Sequence, residues 1–267
     1  TGKSKEHTVT IDTSKGKVDV TFDDLKIDVS GKAEGDVSGK TEVDGSDDSP
    51  VDAGKAAVTV QGDHDATIEL DGDNKLKSGS GNAGLEKNKH ESKGTLTIKD
   101  DKGKDGSLTA EGGEGGAGIG GGAERTGSNI TIRGGTIEAV GGAGAAGIGD
   151  GVGAQQPEID QDRRPSKPNN IIICGDAEVT AKAGRSQMLD AKAPAIGGKY
   201  GEVPTENLSD DEHKVTGGRL TRLNADGTVM EGMGYDYTST PKPQPEEDED
   251  DDDDVPPPAQ ENAPEPL

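Results

Sequence analysis

A short string of alternating apolar and polar residues recurs along the chain at nearly constant intervals. Its clearest copies occupy 94–99, 128–133 and 169–174. Ile98 and Ile132 hold the same place in the first two copies and are 34 residues apart. Self-similarity with a period of this size is typical of solenoids and other repeat folds, in which each unit buries its apolar side chains only against its neighbours.

Two further strings accompany each copy. A second alternating string occupies 107–110, 136–139 and 178–181, and a third, Gly-rich string occupies 83–85, 117–119, 146–148 and 195–197. Weaker relatives are present upstream: 8–11 and 57–60 match the first string, whereas 18–20 and 67–70 match the second. Leu85 and Ile119 are again 34 residues apart, and Ile148 follows Ile119 by 29 residues. The repeat unit therefore contains three short elements.

Composition limits the core that such a chain can build. Only 27% of the residues are hydrophobic, and the sequence has one Phe, three Tyr and no Trp. A thick two-layer core is therefore disfavoured, which leaves disorder or a thin repeat fold. The regular placement of Ile, Val and Leu favours the repeat fold, because equivalent strings stacked about 4.8 Å apart would align these side chains in columns.

The strings have the character of strands rather than helices. They are short, rich in Ile, Val and Thr, and bounded by Gly and Asp clusters. The frequent glycines oppose helix formation and suit tight corners. The sequence therefore predicts an all-β chain that forms a right-handed parallel β-helix with three short strands in each rung. In this arrangement Ile98, Ile132 and Ile173 lie directly above one another.

Changes in composition divide the chain into four regions. Residues 1–80 are expected to form less regular β-helix rungs, and 81–199 the Gly-rich rungs, which an inserted Pro-rich loop at 152–168 interrupts. Residues 200–240 are expected to form a C-terminal cap that covers the unpaired strand edges of the last rung. Residues 241–267 carry 11 acids, one Lys and eight of the 14 prolines, so that we expect a disordered acidic linker.

The Gly-rich strings 116–122 and 147–151, together with the string 129–139, resemble a known family of repeats. They are similar to the Gly-Ala-Gly-Ile-Gly-Gly and Ile-Thr-Ile-x-Gly-Gly-Thr-Val-x-Ala repeats of Gram-positive cell-surface proteins, often described as carbohydrate-binding-domain-containing. The resemblance covers roughly 82–198 and implies a β-helix on a bacterial surface. The third repeat departs from the pattern at 170–174, and no binding residue is carried over from the family.

Several familiar motifs occur without the context that their chemistry needs. The strings 116–121 and 142–147 satisfy the G-x-G-x-x-G pattern, but no amphipathic helix follows either of them, which argues against a dinucleotide site. The four histidines have no zinc spacing. Acidic turns at 71–73 and 100–105 could bind Ca²⁺, although the calcium-binding G-G-x-G-x-D repeat is not reproduced. We therefore expect no cofactor and no metal.

The charge balance and the local distribution of acids restrict the function. A net charge of −24 disfavours nucleic acid as a partner, and the sequence has no apolar run of about 18 residues to cross a membrane. Lyases and hydrolases of polysaccharides also use parallel β-helices, but no cluster of acids recurs on one strand face. We therefore expect a binding protein rather than an enzyme, with no direct membrane contact.

The candidate binding residues fall into three groups. Four threonines occupy what we interpret as equivalent outward positions, with Arg133 just after the last of them: Thr10, Thr59, Thr97 and Thr131. Arg163 and Arg164 form a basic pair in the inserted loop. Tyr200 and Tyr235 offer aromatic surface near the C-terminal end.

The sequence predicts a non-enzymatic module of the bacterial cell surface that recognises a host macromolecule. The chain begins with Thr1 rather than Met, so we interpret it as a fragment whose signal peptide and cell-wall anchor lie outside it, with the acidic linker as a spacer. The leading partner class is a secreted host protein such as an immunoglobulin or a mucosal glycoprotein. Two alternatives stay open, a glycan-binding domain and a structural stalk.

Overall fold

The chain is built from β-strands. The computed structural model describes residues 1–31, 54–102, 105–154, 170–185, 193–198, 201–202, 213–230 and 235–236. Within these ranges the backbone forms 21 strands. None of the described segments is a helix that is long and apolar enough to cross a membrane. The expected all-β class is confirmed.

The strands form three sheets, named A, B and C, and successive strands up to β17 enter them in strict rotation. Sheet A contains β1 (Gly2–Ser4), β4 (Leu25–Asp28), β7 (Asp73–Lys77), β10 (Ser107–Glu111), β13 (Thr136–Val140), β16 (Glu178–Lys182), β20 (Arg219–Leu223) and β21 (Tyr235–Asp236). Sheet B contains β2 (Val9–Asp12), β5 (Val58–Gln61), β8 (Leu85–Glu86), β11 (Ile119–Gly120), β14 (Ile148–Gly149), β17 (Ile196–Gly198) and β18 (Gly201–Glu202). Sheet C contains β3 (Val18–Asp23), β6 (Ala66–Asp71), β9 (Leu96–Lys99), β12 (Ile130–Ile132), β15 (Ile171–Ile173) and β19 (His213–Val215).

Strand pairing is parallel throughout the body of each sheet. Only β18 and β21, which end sheets B and A, pair antiparallel among the described strands. Each strand from β4 to β14 therefore pairs with the strand three places earlier and the strand three places later in the chain. Three parallel sheets of stacked strands are the arrangement of a parallel β-helix or solenoid.

The apolar core is a set of columns that run through the stacked strands. In sheet C the register aligns Ile98 with Ile132 and Ile132 with Ile173, as the repeat predicts. All three side chains are fully buried. Ile68 and Val215 extend the same column in either direction. Burial of one such side chain stabilises the fold by about 1.5–3 kcal/mol, so a column of aliphatic residues replaces the aromatic core that this chain lacks.

The upstream strings belong to different sheets from those expected. In sheet B β2 pairs with β5 and β5 with β8, whereas in sheet C β3 pairs with β6 and β6 with β9. Thr10 and Thr59 are therefore paired in sheet B, and Thr97 and Thr131 in sheet C, so that the four threonines do not form one column. The expectation was wrong because Val-Thr-Val and Ile-Thr-Ile suit any half-buried strand, and composition alone does not distinguish one sheet from another.

From β8 onward the strands of sheet B shorten to two or three residues, and from β11 onward glycine follows the buried isoleucine at the position that Glu86 holds in β8. A Cβ added at Gly120 would lie 2.1 Å from the carbonyl oxygen of Gly149, its partner in β14. A Cβ at Gly121 would lie 2.2 Å from the carbonyl oxygen of Arg125. The segment 121–127 therefore packs directly over the strand, and this part of sheet B is covered by its own connection.

The described residues near the C-terminal end continue the stack. β19 pairs with β15 and β20 pairs with β16, both in parallel. After β20 the backbone N–H of Asn224 donates to the carbonyl oxygen of Thr228 at 2.8 Å, and Leu223 forms an antiparallel bridge with Val229. The rest of the expected cap and all of the expected linker lie outside the described residues: 199–200, 203–212, 231–234 and 237–267.

Candidate functional site

An open groove of about 630 Å³ crosses the outer face of sheet A at its first strands. Residues of β1, β4, β7, β10 and β13 line it, so it runs across five neighbouring strands rather than along one. At a strand spacing of about 4.8 Å the groove extends for about 19 Å. Five of its lining residues are lysines, although the chain has a net charge of −24.

Three of these lysines form what we call the lysine column: Lys3, Lys26 and Lys75. The register pairs Lys3 with Lys26 and Lys26 with Lys75, so their side chains leave adjacent strands at the same outward position. Strand alternation produces this arrangement, because Ile27 and Leu76 point inward and are buried. The same position continues beyond β7 as Thr109, then Glu138. The basic surface is therefore confined to the first three strands of sheet A.

An inward-facing asparagine ties together the strands that carry the column. The buried side chain of Asn74 accepts a hydrogen bond at Oδ1 from the backbone N–H of Leu25, at 2.8 Å. Its Nδ2 donates to the carbonyl oxygen of Ser107, at 3.1 Å. One amide thus bridges β4, β7 and β10. A buried polar side chain with these bonds fixes the relative position of the strands more strictly than an aliphatic residue would.

Two of the three carboxylates that line the groove, Asp28 and Glu111, have partners. Glu111 accepts an ion pair from Lys77 at 3.1 Å, and this bond raises the pKa of Lys77. Asp28 accepts a hydrogen bond from the hydroxyl of Ser30 at 2.6 Å, which lowers the pKa of Asp28. Each of these two carboxylates is therefore held by a neighbour outside the lysine column.

The lysine column has few counter-charges. Lys26 lies 3.8 Å from Asp24, at the outer limit of an ion pair. Within the described part of the chain, no carboxylate lies within 4 Å of Lys3, Lys5 or Lys75. Like charges on adjacent strands repel one another, and a bound anion would relieve that repulsion. Because salt screens charges beyond about 8 Å at physiological ionic strength, a ligand in the groove would experience the column more strongly than the distant acids.

The threonines proposed from the sequence lie on another face. Thr97 and Thr131 are paired and half-buried in sheet C, where Thr67 precedes them and Ile172 follows them. Arg133 is exposed, just after β12. The structure brings these residues together on sheet C and separates them from the lysine column on sheet A.

The remaining predicted binding residues contribute little to the described surface. Arg163, Arg164 and Tyr200 lie outside the described residues, as does most of the inserted loop. Tyr235 belongs to β21, where its backbone pairs with Leu220. The inserted loop is described only at 152–154.

The acidic turns and Gly-rich strings that suggested bound ions or cofactors form hydrogen bonds and strands within the stack. Asp73 accepts a hydrogen bond from the hydroxyl of Ser107 at 2.9 Å, and Asp100 accepts one from the backbone N–H of Gly106 at 2.9 Å. The described ranges contain no group of three or more His, Cys, Asp or Glu side chains placed to hold a metal ion. The first G-x-G-x-x-G string, 116–121, contains β11, and the second, 142–147, is directly followed by β14. Burial raises the pKa of Cys174, which keeps its thiol protonated at neutral pH.

One lysine is buried rather than displayed. Lys87 follows β8, is inaccessible to solvent, and donates from Nζ to the carbonyl oxygen of Ser92 at 3.0 Å. Burial lowers the pKa of Lys87 to about 8, against a weak opposing effect of Asp65. The unfolded chain therefore binds the proton more tightly than the folded chain between about pH 8 and pH 10.5, and this residue favours folding increasingly as the pH rises through that window.

We expect the variant Lys87→Met to be more stable than the parent by about 2 kcal/mol at pH 7, since methionine removes a buried charge at the loss of one hydrogen bond. The difference should disappear by about pH 10, where the parent lysine is largely neutral. Urea unfolding from pH 7 to pH 10 measures it. The exposed Lys93, replaced by Met, is the control and should give a pH-independent difference. A constant difference for Lys87→Met would contradict the lowered pKa.

Comparison of the chain with protein-family models, with curated proteins and with solved structures finds no match in any of the three. The proposed function therefore rests on the residues of the groove alone.

Proposed function

We propose that the chain is a non-enzymatic binding module, displayed outside a bacterial cell, that binds a host macromolecule along the outer face of sheet A. The groove and its lysine column carry this proposal, because they form an extended, charged and exposed surface across five strands. A surface of this length suits a polymer or a large protein better than a small molecule, as in other repeat folds. The partner class is a secreted host macromolecule, either an immunoglobulin or a mucosal glycoprotein.

The three sheets close into a right-handed parallel β-helix with three strands in each rung. The rotation of successive strands through sheets A, B and C supports closure, since the chain returns to the same sheet after every third strand. The connection between neighbouring strands of one sheet, such as β10 and β13, is then a parallel crossover. Such crossovers are right-handed in nearly all proteins, because a right-twisted strand packs back onto its sheet only in that sense.

Binding without catalysis fits the chemistry of the groove. Hydrolysis of a glycosidic bond needs two carboxyl groups on opposite sides of the scissile bond, one of them protonated. In the groove Asp28 accepts a hydrogen bond from Ser30, which lowers the pKa of Asp28, and Glu111 is ion-paired with Lys77. These carboxylates are therefore suited to orienting lysines and neighbouring backbone rather than to transferring protons.

The acidic segment after the described strands fits a role as a spacer. Residues 246–254 are nine consecutive acids within a Pro-rich sequence, a composition that extends and solvates a chain. The stack of strands would thereby be held away from the cell wall. The outer face of sheet A then remains accessible to a partner in the surrounding fluid.

The experiment that tests this function measures binding of purified host macromolecules to the immobilised chain. We expect secretory immunoglobulin or mucin to be retained at physiological salt and serum albumin, an acidic protein without glycans, to pass. The replacement of Lys26 and Lys75 together by Thr should weaken the retained interaction. If neither immunoglobulin nor mucin binds, or if both bind the substituted chain as well as the parent, sheet A is not the binding surface.

A further inference from the structure

From the spacing and chemistry of the lysine column, we infer that the ligand of sheet A is a linear anionic polysaccharide, which contributes its carboxylate groups to Lys3, Lys26 and Lys75. This inference rests on the proposed function, because it names the chemical class that the outer face of sheet A recognises. On a host glycoprotein the polysaccharide would be the acidic part of the attached glycan.

The spacing of the charges favours a polysaccharide over a peptide. Adjacent strands place the backbone positions of the three lysines about 4.8 Å apart, so the column spans about 9.6 Å. A pyranose ring in an extended polysaccharide advances the polymer by about one strand spacing, so that acidic groups on successive rings would meet successive lysines, and acidic groups on alternate rings would meet Lys3 and Lys75. An extended acidic peptide presents side chains on one face only every 6.6 Å or so, which does not match the column.

Contacts with an acidic glycan are available beyond the charges themselves. The outward position of the column continues as the hydroxyl of Thr109, and Ser107 presents a second hydroxyl on the same strand, bonded to Asp73 at 2.9 Å. Hydroxyl groups can donate to and accept from sugar hydroxyls. The only aromatic side chain whose surroundings are described, Phe22, is buried in the core, so the recognition relies on charges and hydrogen bonds rather than ring stacking.

The two ends of the groove differ in charge. β1, which carries Lys3, is the first strand of sheet A, whereas Glu138 in β13 lines the opposite end of the groove. A carboxylate of the ligand is attracted at the β1 end and repelled near Glu138. The anionic segment of the ligand is therefore expected to occupy the part of the groove over β1, β4 and β7, with uncharged sugars over β10.

The test titrates polygalacturonate oligomers, a linear polyuronate, into the full chain by calorimetry. Dextran serves as the neutral polysaccharide and poly-L-glutamate as the acidic peptide. We expect only polygalacturonate to bind, and binding to weaken as the salt concentration rises from about 0.15 M to about 1 M. Replacing Lys26 and Lys75 together by Thr should weaken binding about tenfold, whereas replacing both by Arg should preserve it.

The matched control replaces Lys15 and Lys17 by Thr. These exposed lysines precede β3, and their loss changes the net charge by the same amount as loss of Lys26 and Lys75. Equal weakening by the two double variants would contradict a specific column, and equal binding of poly-L-glutamate would identify an acidic-peptide site instead. If mucin binds the chain but polygalacturonate does not, the inference about the ligand fails while the proposed function stands. If immunoglobulin, mucin and polygalacturonate all fail to bind, the inference and the proposed function both fail.

Discussion

Replacement of Gly120 by alanine is expected to destabilise the fold by about 3–5 kcal/mol, because the site excludes a side chain for two independent reasons. The backbone φ of Gly120 is +136°, a conformation that residues with a Cβ rarely adopt. The added methyl group would also lie 2.1 Å from the carbonyl oxygen of Gly149, a backbone atom that its own strand pairing holds in place. β11 cannot move away from this contact without also displacing β14.

Urea unfolding followed by far-ultraviolet circular dichroism measures the loss. Gly31→Ala is the control, since Gly31 has no atom within 4 Å of the added Cβ and no positive φ. This variant should change the free energy of unfolding by less than about 0.5 kcal/mol. If Gly120→Ala is tolerated as well as Gly31→Ala, the close pairing of β11 with β14 at Gly120 and Gly149 is not present.

Truncation of Ile132 to alanine is expected to destabilise the fold by about 2–5 kcal/mol. Its side chain is fully buried between Ile98 and Ile173 in the central column of sheet C, and removal of three carbons leaves a cavity that stacked neighbours on both sides cannot fill. The neighbouring Thr131 faces outward on the same strand and is half-buried. Thr131→Ala should therefore cost less than about 1 kcal/mol.

Thermal and urea unfolding of both variants, compared with the parent, give this contrast directly. A similar loss for Ile132→Ala and Thr131→Ala would mean that the two faces of β12 are not distinguished by burial, and the aliphatic columns would have to be abandoned.

The central columns are the part of the fold that sequence periodicity predicts most securely. Ile98, Ile132 and Ile173 occupy strands of three or four residues with the same alternation, so equivalent places in the repeated string translate directly into register. Between the second and third copies an insertion lengthens the interval, yet the flanking strand pattern is unchanged and the register survives. Aliphatic side chains of one size stack well in a column, and this requirement appears in the sequence as a periodic pattern of such residues.

Sequence periodicity did not assign the upstream strands to the correct sheets. In the first rungs the strands of sheet B have four residues, Val9–Asp12 and Val58–Gln61, whereas β8, β11 and β14 have two. A Val-Thr-Val string therefore resembled the strands of sheet C more than the Gly-rich strands with which it pairs. Counting strands in rotation from β8 backwards would have corrected this, because order along the chain, unlike composition, identifies the sheet.

The lysine column was missed for a related reason. Lys26 and Lys75 alternate with buried Ile27 and Leu76, which is a strand signal, but the strings around them were not aligned with the string at 107–110. Once the rotation is known, both lysines fall on the position of Thr109. Surface charge can vary from rung to rung, so it leaves no periodic pattern in the sequence. Only the strand register shows that these lysines are neighbours.

The lysine column exists only if β1, β4 and β7 stack in one register with the later strands of sheet A. Distances between spin labels on Lys26 and Thr180, and on Lys26 and Thr221, test this stacking directly. These positions share one outward column and are separated by four and five strand spacings, so we expect backbone separations of about 19 Å and about 24 Å. Equal separations for the two pairs, or broad distributions without a maximum near these values, would contradict the stacked sheet.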